Sequence, residues 1–173
     1  MHVFACKVLD DDSESNALNL GPPMKRKEFA DILLIEDSDA DAELTLWALR
    51  KGNLHNRTTR VHDDVEALEF LLREGAFSER EKGSPKLILL DLHLPRESGI
   101  ELLRTLKSND STKAIPVVIL TLSAEERDLV DAYRLGVNSY LVKPVSSPAC
   151  ADMIAQAALY WVVMNQVPTV RLN

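Results

Sequence analysis

Short apolar runs recur along the chain, and segments of helix-forming composition separate each run from the next. Runs without polar alternation are typical of strands that are buried on both faces, as in a parallel sheet. The pattern predicts five strands, at Ile32–Ile35, Thr58–Val61, Leu87–Leu90, Pro116–Leu120 and Ser139–Val142. Such strands need covering helices on both sides of the sheet.

Five helices are predicted to alternate with these strands. Their expected ranges are 42–51, 64–72, 99–108, 124–135 and 147 to about 166. Either Asp63 or Asp64 can cap the second helix. Ser147 can cap the fifth, with Pro148 in its first turn. Alternating strands and helices with right-handed crossovers favour an α/β fold, a doubly wound parallel sheet with helices on both faces.

The first 28 residues differ in composition from the rest of the chain. They contain an acidic run at residues 10–15 and a breaker cluster at residues 21–23, followed by Met24 and a basic triplet. Either Met24 is the natural initiator or residues 1–28 form a flexible leader. We predict one domain at residues 29–166 and a C-terminal tail at residues 167–173, because 173 residues is a single-domain length.

Composition and charge exclude several classes of function. The formal net charge of −7 argues against nucleic-acid binding through the overall field. No apolar stretch approaches the roughly 20 residues of a membrane span, and no signal peptide is visible. Cys6 and Cys150 lack the spacing of a metal site. They predict two reduced thiols in a cytoplasmic protein, with a single disulfide as the alternative.

Charged and hydroxyl side chains stand where four of the predicted strands end. They are Glu36, Asp37, Asp91, Thr121 and Lys143. Doubly wound sheets bind ligands beyond the carboxyl ends of their strands, so these side chains should share one site if the first and third strands are neighbours. Crowded carboxylates require a cation, and hard oxygen ligands suit Mg²⁺. A lysine and a hydroxyl beside Asp91 suit a phosphoryl group, with Asp91 as the nucleophile.

Four motifs together resemble a known family. They are ILLIEDS at residues 32–38, LLDLHLP at 89–95, VILT at 118–121 and YLVKP at 140–144. They look like the receiver domain of two-component response regulators, and the resemblance covers about residues 30–165. It implies a flavodoxin-like fold, in which five parallel strands in the order 2-1-3-4-5 are accompanied by five helices. It also implies a phosphorylation switch or relay rather than an enzyme.

The resemblance implies a role for each strand-end residue around the phosphoryl group. Asp91 would accept that group from the phosphohistidine of a sensor histidine kinase. Thr121 and Lys143 would bind the phosphoryl oxygens. Tyr140 matches the switch aromatic of the family, which turns inward when Thr121 moves toward the phosphate.

The same resemblance implies a Mg²⁺ site. Asp37 would bind the ion directly and Glu36 through water, and Asp91 and the backbone carbonyl of His93 would complete the protein ligands. The His93 side chain should lie near the path of water to Asp91. An exposed histidine side chain with no role is the alternative.

A closer resemblance is to the response regulators that work with bacterial phytochromes. It rests on the longer loop at residues 77–85, the stretch at residues 135–140 and the late Trp161. It implies a stand-alone receiver whose kinase is a phytochrome-type, red-light-sensing histidine kinase. The chain departs from the family pattern at Leu122, because most receivers have a small residue there. The larger side chain should narrow access to Asp91.

The last predicted helix is more apolar than one core face requires. At 100° per residue, its core stripe contains Cys150, Met153, Ile154, Ala157, Trp161 and Met164. Leu159, Val162 and Val163 lie off that stripe and need a second cover. The resemblance favours a homodimer through this end of the fold, and the alternative is that the tail folds back over it. Trp47 of the first helix is either an exposed anchor for the kinase or lies flat over its own helix.

Two other functions are open alternatives. One is a hydrolase with an aspartyl-phosphate intermediate, although such phosphatases resemble DxD sequences and this chain has Asp91-Leu92-His93. The other is a pseudo-receiver that binds partners without being phosphorylated, which the presence of all five site residues disfavours. A phosphate-binding nucleotide loop is excluded because neither GxxxxGK[ST] nor GxGxxG occurs.

Overall fold

Within the part of the chain that the structure describes, five strands form one parallel sheet. They are β1 (Ile32–Ile35), β2 (Thr58–Val61), β3 (Leu87–Leu90), β4 (Val117–Thr121) and β5 (Ser139–Val142). Their order across the sheet is β2-β1-β3-β4-β5, which confirms the predicted topology. The structure is a computed structural model, and it describes residues 30–143 and 147–166.

Among the described residues, five α-helices alternate with the strands, as predicted. They are α1 (Asp39–Lys51), α2 (Asp64–Leu72), α3 (Gly99–Ser108), α4 (Glu126–Arg134) and α5 (Ser147–Leu159). A π-helical segment at Tyr160–Met164 continues α5, and short 3₁₀ turns occur at His55–Arg57 and Gly75–Phe77.

The sheet separates two apolar layers. Alternate side chains of a strand point to opposite faces, so Leu33 and Ile35 of β1 pack with α2, α3 and α4, whereas Ile32 and Leu34 pack with α1 and α5. Every residue of β1, β3 and β4 is buried, while the edge strand β5 is only partly buried. Continuous apolar runs therefore mark the three central strands, as expected for a doubly wound sheet.

Helix starts were predicted less well than strands. Helix α1 begins at Asp39 rather than at residue 42, because the Ser38 hydroxyl caps it by accepting from the Asp41 N–H at 3.4 Å. For α2 the cap is Asp63, whose carboxylate accepts from the Glu66 N–H at 2.8 Å. Helix α4 begins two residues later than predicted, at Glu126.

The end of the last helix corrects the predicted apolar stripe. Val162 was expected to lie off the core and is buried, whereas Met164 was expected in the core and is 68% exposed. Leu159 and Val163 are exposed, as predicted. The physical reason is that the buried face is centred on Ala151, Ile154 and Ala158 rather than on the predicted stripe, and Val162 continues that face four residues after Ala158.

Some predictions fall outside the described part of the chain. They concern the leader at residues 1–28, the tail at residues 167–173, Cys6, Pro144 and the cap formed by the Ser147 side chain. Among the helices that the structure describes, none combines the length and apolar character needed to cross a membrane.

Candidate functional site

Four of the predicted site residues meet at the carboxyl edge of the sheet. Glu36 follows β1, Asp91 follows β3, Thr121 ends β4 and Lys143 follows β5. All four are buried, with at most 6% of the residue surface exposed. Burying charged groups is costly unless they are paired, so this grouping distinguishes the edge from an ordinary surface.

Lys143 lies among three carboxylates. Its Nζ donates to Asp41 Oδ2 at 2.7 Å and to Glu36 Oε2 at 2.9 Å, and lies 3.5 Å from Asp91 Oδ2. An ammonium group has three N–H donors, so each carboxylate can accept one. The contact with Asp91 is the longest of the three, at the outer limit of a hydrogen bond.

Asp41 was not predicted as a site residue. Carboxylate oxygens of Glu36, Asp41 and Asp91 all lie within 4.8 Å of one another. The sequence pattern predicts site residues at strand ends, whereas Asp41 belongs to the first turn of α1. The N-cap at Ser38 is the signal that would have found it, because a helix beginning at Asp39 brings its first turn to the same edge.

Asp37 and His93 take different places around this group. Asp37 is exposed, and its carboxylate is not one of the three that come together. The His93 N–H donates to Asp91 Oδ1 at 3.2 Å, and the imidazole Nδ1 lies 3.7 Å from the same oxygen. The His93 side chain is 67% exposed, so it stands at the open side of the site.

Burial and neighbouring charges alter the acid–base properties of the site. Burial raises the pKa of Glu36 from 4.5 to about 6, which the charge of Asp91 reinforces and the hydrogen bond from Lys143 opposes. For Lys143, desolvation lowers the pKa, but hydrogen bonds to Asp41 and Glu36 and the charge of Asp91 outweigh it, and the net pKa lies above its ordinary value. Three carboxylates facing one ammonium leave a surplus of negative charge.

A chain of hydrogen bonds leads away from Thr121. Its hydroxyl accepts from the Ser123 N–H at 3.0 Å. The Ser123 hydroxyl donates to Asp128 Oδ2 of α4 at 3.0 Å, and the Tyr140 hydroxyl donates to the Ser123 carbonyl at 3.2 Å. Desolvation, followed by the charge of Asp128, raises the pKa of Tyr140, so its hydroxyl keeps its proton. Ser123 therefore connects the site to both α4 and β5.

Backbone contacts hold the loops that carry the acids. Arg60 of β2 donates from Nε to the Glu36 carbonyl at 2.9 Å and from Nη2 to the Asp37 carbonyl at 3.0 Å. The Gly99 N–H donates to the Leu92 carbonyl at 2.9 Å. A Cβ on Gly99 would overlap the Asp91 carbonyl oxygen, so the start of α3 requires glycine for this close approach.

Leu122 and Trp47 are partly or largely exposed. Leu122, which follows Thr121, is 68% exposed. Trp47 is 42% exposed, and the Lys51 ammonium lies 4.6 Å from its ring centroid. Lys51 also bonds to Asp152 of α5 at 2.9 Å, so one face of the Trp47 ring is near a cation that links the two helices.

The geometry provides three kinds of group for phosphate chemistry. Asp91 provides a carboxylate that can attack phosphorus, Lys143 provides a fixed positive charge, and Thr121 provides a hydroxyl donor. Clustered carboxylate oxygens are suitable ligands for a hard divalent cation.

Curated relatives of this chain are regulatory proteins. The probable methanogenesis regulatory protein FilR2 of Methanothrix harundinacea is 36% identical over 89% of this chain and 97% of its own length. The response regulator Rcp1 of Synechocystis sp. is 36% identical over 79% of this chain and 92% of its own length.

Solved structures share the fold. The phosphorylated cyanobacterial phytochrome response regulator RcpA has a TM-score of 0.74 at 33% identity, over 82% of this chain and 100% of that protein. For the Mn²⁺-bound form of Rcp1 the TM-score is 0.73 at 36% identity, over 80% of this chain and 98% of that protein. For the bacteriophytochrome response regulator RtBRR the TM-score is 0.64 at 44% identity, over 84% of this chain and 87% of that protein.

The family model for the response regulator receiver domain matches residues 32–155, which include all five strands and most of α5. Together with the relatives, this match shows that the chain belongs to the response regulator receiver domain family.

Proposed function

We propose that the protein is a phosphorylation switch or relay in which Asp91 accepts a phosphoryl group from the phosphohistidine of a sensor histidine kinase. The observation that carries the proposal is the buried Asp91 carboxylate with the Lys143 ammonium 3.5 Å away. An Asp91 oxygen forms the new O–P bond as the N–P bond of phosphohistidine breaks. The histidine nitrogen leaves with the electron pair of that bond.

Lys143 and Thr121 bind the phosphoryl oxygens in this proposal. Lys143 keeps its positive charge at neutral pH, because its neighbours hold its pKa above the ordinary value. Thr121 accepts a hydrogen bond from Ser123, which leaves the hydroxyl proton available for a phosphoryl oxygen. Tyr140 is the switch residue, since it shares Ser123 with Thr121.

We also propose Mg²⁺ as the cation of this site. The donor set fits, because the oxygens of Glu36 and Asp91 are close and carry surplus negative charge. Support comes from Rcp1, which has been solved in a Mn²⁺-bound form. Asp37, Glu36, Asp91 and the backbone carbonyl of His93 are the proposed ligands. The ion would neutralise negative charge as the phosphoryl group approaches.

The proposed kinase partner is of the phytochrome type, and the proposed location is the cytoplasm. RcpA and RtBRR are named as phytochrome and bacteriophytochrome response regulators, and the chain aligns with most of each. Residues 29–166 form the receiver domain in this proposal, with a leader at 1–28 and a tail at 167–173. The protein is a phosphoacceptor that assists transfer and loss of its own phosphoryl group, rather than an enzyme.

Transfer from a kinase tests this function directly. The protein should acquire label when it is incubated with a phytochrome-type histidine kinase, radiolabelled ATP and Mg²⁺. Asp37→Ala should remove metal binding and transfer together, and undiminished transfer in excess chelator would reject the metal assignment. A protein that takes no label from any candidate kinase would indicate the pseudo-receiver instead.

We further propose a homodimer that includes the end of the last helix. Leu159, Tyr160, Val163 and Met164 are between 41% and 68% exposed and form an apolar surface there. Repeated across a two-fold axis, such side chains could offset the cost of association. Val163→Glu should give a monomer that still accepts phosphate, whereas Val65→Glu on α2 should not change assembly.

Sedimentation of these proteins, with and without phosphorylation, tests the homodimer. A wild type that is monomeric in both states at high concentration would contradict it.

A further inference from the structure

Lys143 is held mainly by carboxylates other than the phosphoacceptor. The Nζ–oxygen distances are 2.7 Å to Asp41 and 2.9 Å to Glu36, against 3.5 Å to Asp91. Hydrogen bonds between ions are strongest when they are short, so Asp41 and Glu36 fix the ammonium position in this state. To contact a phosphoryl group on Asp91 closely, the ammonium has to give up part of this pairing.

We propose that Asp41 is a positioning residue that restrains Lys143 in the unphosphorylated protein and thereby slows phosphorylation of Asp91. The inference rests on the proposed function, because Lys143 matters here only if it binds the phosphoryl group. It adds a residue to the reaction that the strand-end motifs do not include.

The first turn of α1 fixes Asp41 where it can act. The Asp41 N–H donates to the Ser38 hydroxyl, and the Ala42 N–H donates to the Ser38 carbonyl at 2.9 Å. Ser38 itself donates its N–H to Glu36 Oε1 at 3.2 Å. The cap of α1 therefore sets the positions of both carboxylates that hold Lys143.

Exposure separates Asp41 from the other two acids. Its side chain is 32% exposed, whereas those of Glu36 and Asp91 are 1% and 8% exposed. Asp41 can therefore regain water when Lys143 leaves, while Glu36 cannot. Release of the ammonium is less costly from a solvated carboxylate than from a buried one, so Asp41 suits a reversible restraint.

The alternative role for Asp41 is that of a metal ligand in place of Asp37. The two roles predict different outcomes for Asp41→Asn, which keeps the shape of the side chain and removes its charge. As a restraint, Asp41 should mainly affect the mobility of Lys143 and the rate of phosphorylation, with a much smaller change in the affinity for Mg²⁺ than Asp37→Ala causes. As a ligand, it should mainly affect that affinity.

The experiment compares wild type, Asp41→Asn and a control, Glu43→Gln, which removes the same charge from an exposed position of α1. Phosphorylation by phosphoramidate is followed by intact-mass spectrometry, and Mg²⁺ affinity by calorimetry. Hydrogen exchange of the Lys143 ammonium is followed by NMR without metal. In Asp41→Asn we expect faster ammonium exchange and roughly tenfold faster phosphorylation, the scale of one charge-assisted hydrogen bond. Mg²⁺ affinity should fall much less than in Asp37→Ala, because a restraint contributes only its charge to the metal site, and Glu43→Gln should match wild type in all three measurements.

Three results would overturn the inference. They are a loss of Mg²⁺ affinity in Asp41→Asn comparable to that in Asp37→Ala, an unchanged or slower phosphorylation rate, and unchanged exchange of the Lys143 ammonium. Failure of the proposed function looks different. In that case the wild type itself takes up no phosphoryl group, from phosphoramidate or from a kinase, while the NMR measurement still reports whether Asp41 restrains Lys143.

Discussion

Two buried aspartates lie at opposite edges of the same sheet and have opposite electrostatic surroundings. Asp31 directly precedes β1, with 3% of its surface exposed, and Asp91 directly follows the neighbouring β3, with 6% exposed. Asp31 Oδ2 lies 2.8 Å from Arg57 Nε, and its Oδ1 lies 3.7 Å from Lys86 Nζ. One acid thus has two cations at the amino edge, whereas three acids share Lys143 at the carboxyl edge.

The difference separates a carboxylate that is paired with cations of its own chain from a carboxylate in a group with too few cations. An acid whose charge is fully compensated by its own chain needs no further ligand and contributes to stability. A group of acids with too few cations is stable only if it binds a proton or another cation, and such groups cluster at functional sites. The surplus of negative charge, rather than burial alone, distinguishes the carboxyl edge as the candidate site.

The largest expected effect is the loss of phosphorylation in Asp91→Asn. Asparagine keeps the shape of the side chain but is not a nucleophile toward phosphorus. Removing one charge from the crowded group should also leave the metal-free protein at least as stable as wild type. Intact-mass spectrometry and urea unfolding in chelator measure the two effects. A stable mass increase of one phosphoryl group on this variant would show that the acceptor is another residue.

At the amino edge we expect a loss of stability without a loss of phosphorylation. Asp31→Ala should lower the free energy of unfolding by about 2 kcal/mol, because two cations lose their buried partner. Phosphorylation of the folded fraction should persist. A control is Asp110→Ala, since its pair with Lys113 is exposed to solvent and should contribute little to stability. If Asp31→Ala abolished phosphorylation without loss of stability, the distinction between the two edges would be wrong.

The pH dependence of stability should also report the surplus of negative charge. The pKa of Glu36 is raised from 4.5 to about 6, so the folded protein binds this proton more tightly than the unfolded chain does. Its contribution to stability is present below pH 4.5 and is lost as the pH rises through about 6. The shift corresponds to at most about 2 kcal/mol.

Urea unfolding of wild type and Glu36→Gln in chelator, across this pH range, isolates the Glu36 contribution. The stability of wild type relative to the variant should fall as the pH rises. Excess Mg²⁺ should reduce the change, because a cation compensates the ionised carboxylate. A relative stability that rises with pH would contradict the prediction.

The smallest expected effect is at the open side of the site. Leu122→Ala should speed reaction with small phosphodonors or hasten loss of the phosphoryl group, by a few-fold, because a smaller side chain admits donor or water more readily. Val65→Ala on α2 changes a comparably apolar, partly exposed side chain away from the site and should have no effect. Equal rates for wild type and Leu122→Ala would show that Leu122 points away from Asp91.

The sheet could be predicted from sequence because burial on both faces produces continuous apolar runs. The runs at 32–35 and 87–90 are apolar throughout, and the predicted bounds agree with β1 and β3. The buried face of the last helix could not be predicted correctly from the sequence. That face includes Ala151 and Ala158, whose small side chains do not stand out among the larger apolar residues of this segment, so Val162 and Met164 were assigned to the wrong sides.

The site shows the same division. Residues at strand ends were predictable, because parallel topology alone brings Asp91, Thr121 and Lys143 to one edge. Asp41 lies on a helix, and its contact with Lys143 depends on where α1 begins. If the N-cap of α1 were displaced by a few residues, another side chain would face Lys143. The position of Asp41 therefore depends on where α1 begins rather than on the topology of the sheet.

The hydrogen bonds of Ser123 have a consequence for genetics. Ser123 contributes its N–H to Thr121, its hydroxyl to Asp128 and its carbonyl to Tyr140, but it does not belong to the acid group. Substituting its side chain therefore leaves the nucleophile intact and removes the hydrogen bond to Asp128 of α4. We expect such alleles to be silent in every assay of phosphoryl uptake and defective in the cell. A screen that scores only the phosphorylated protein would miss them, whereas a screen for the downstream response would collect them beside Asp91 alleles.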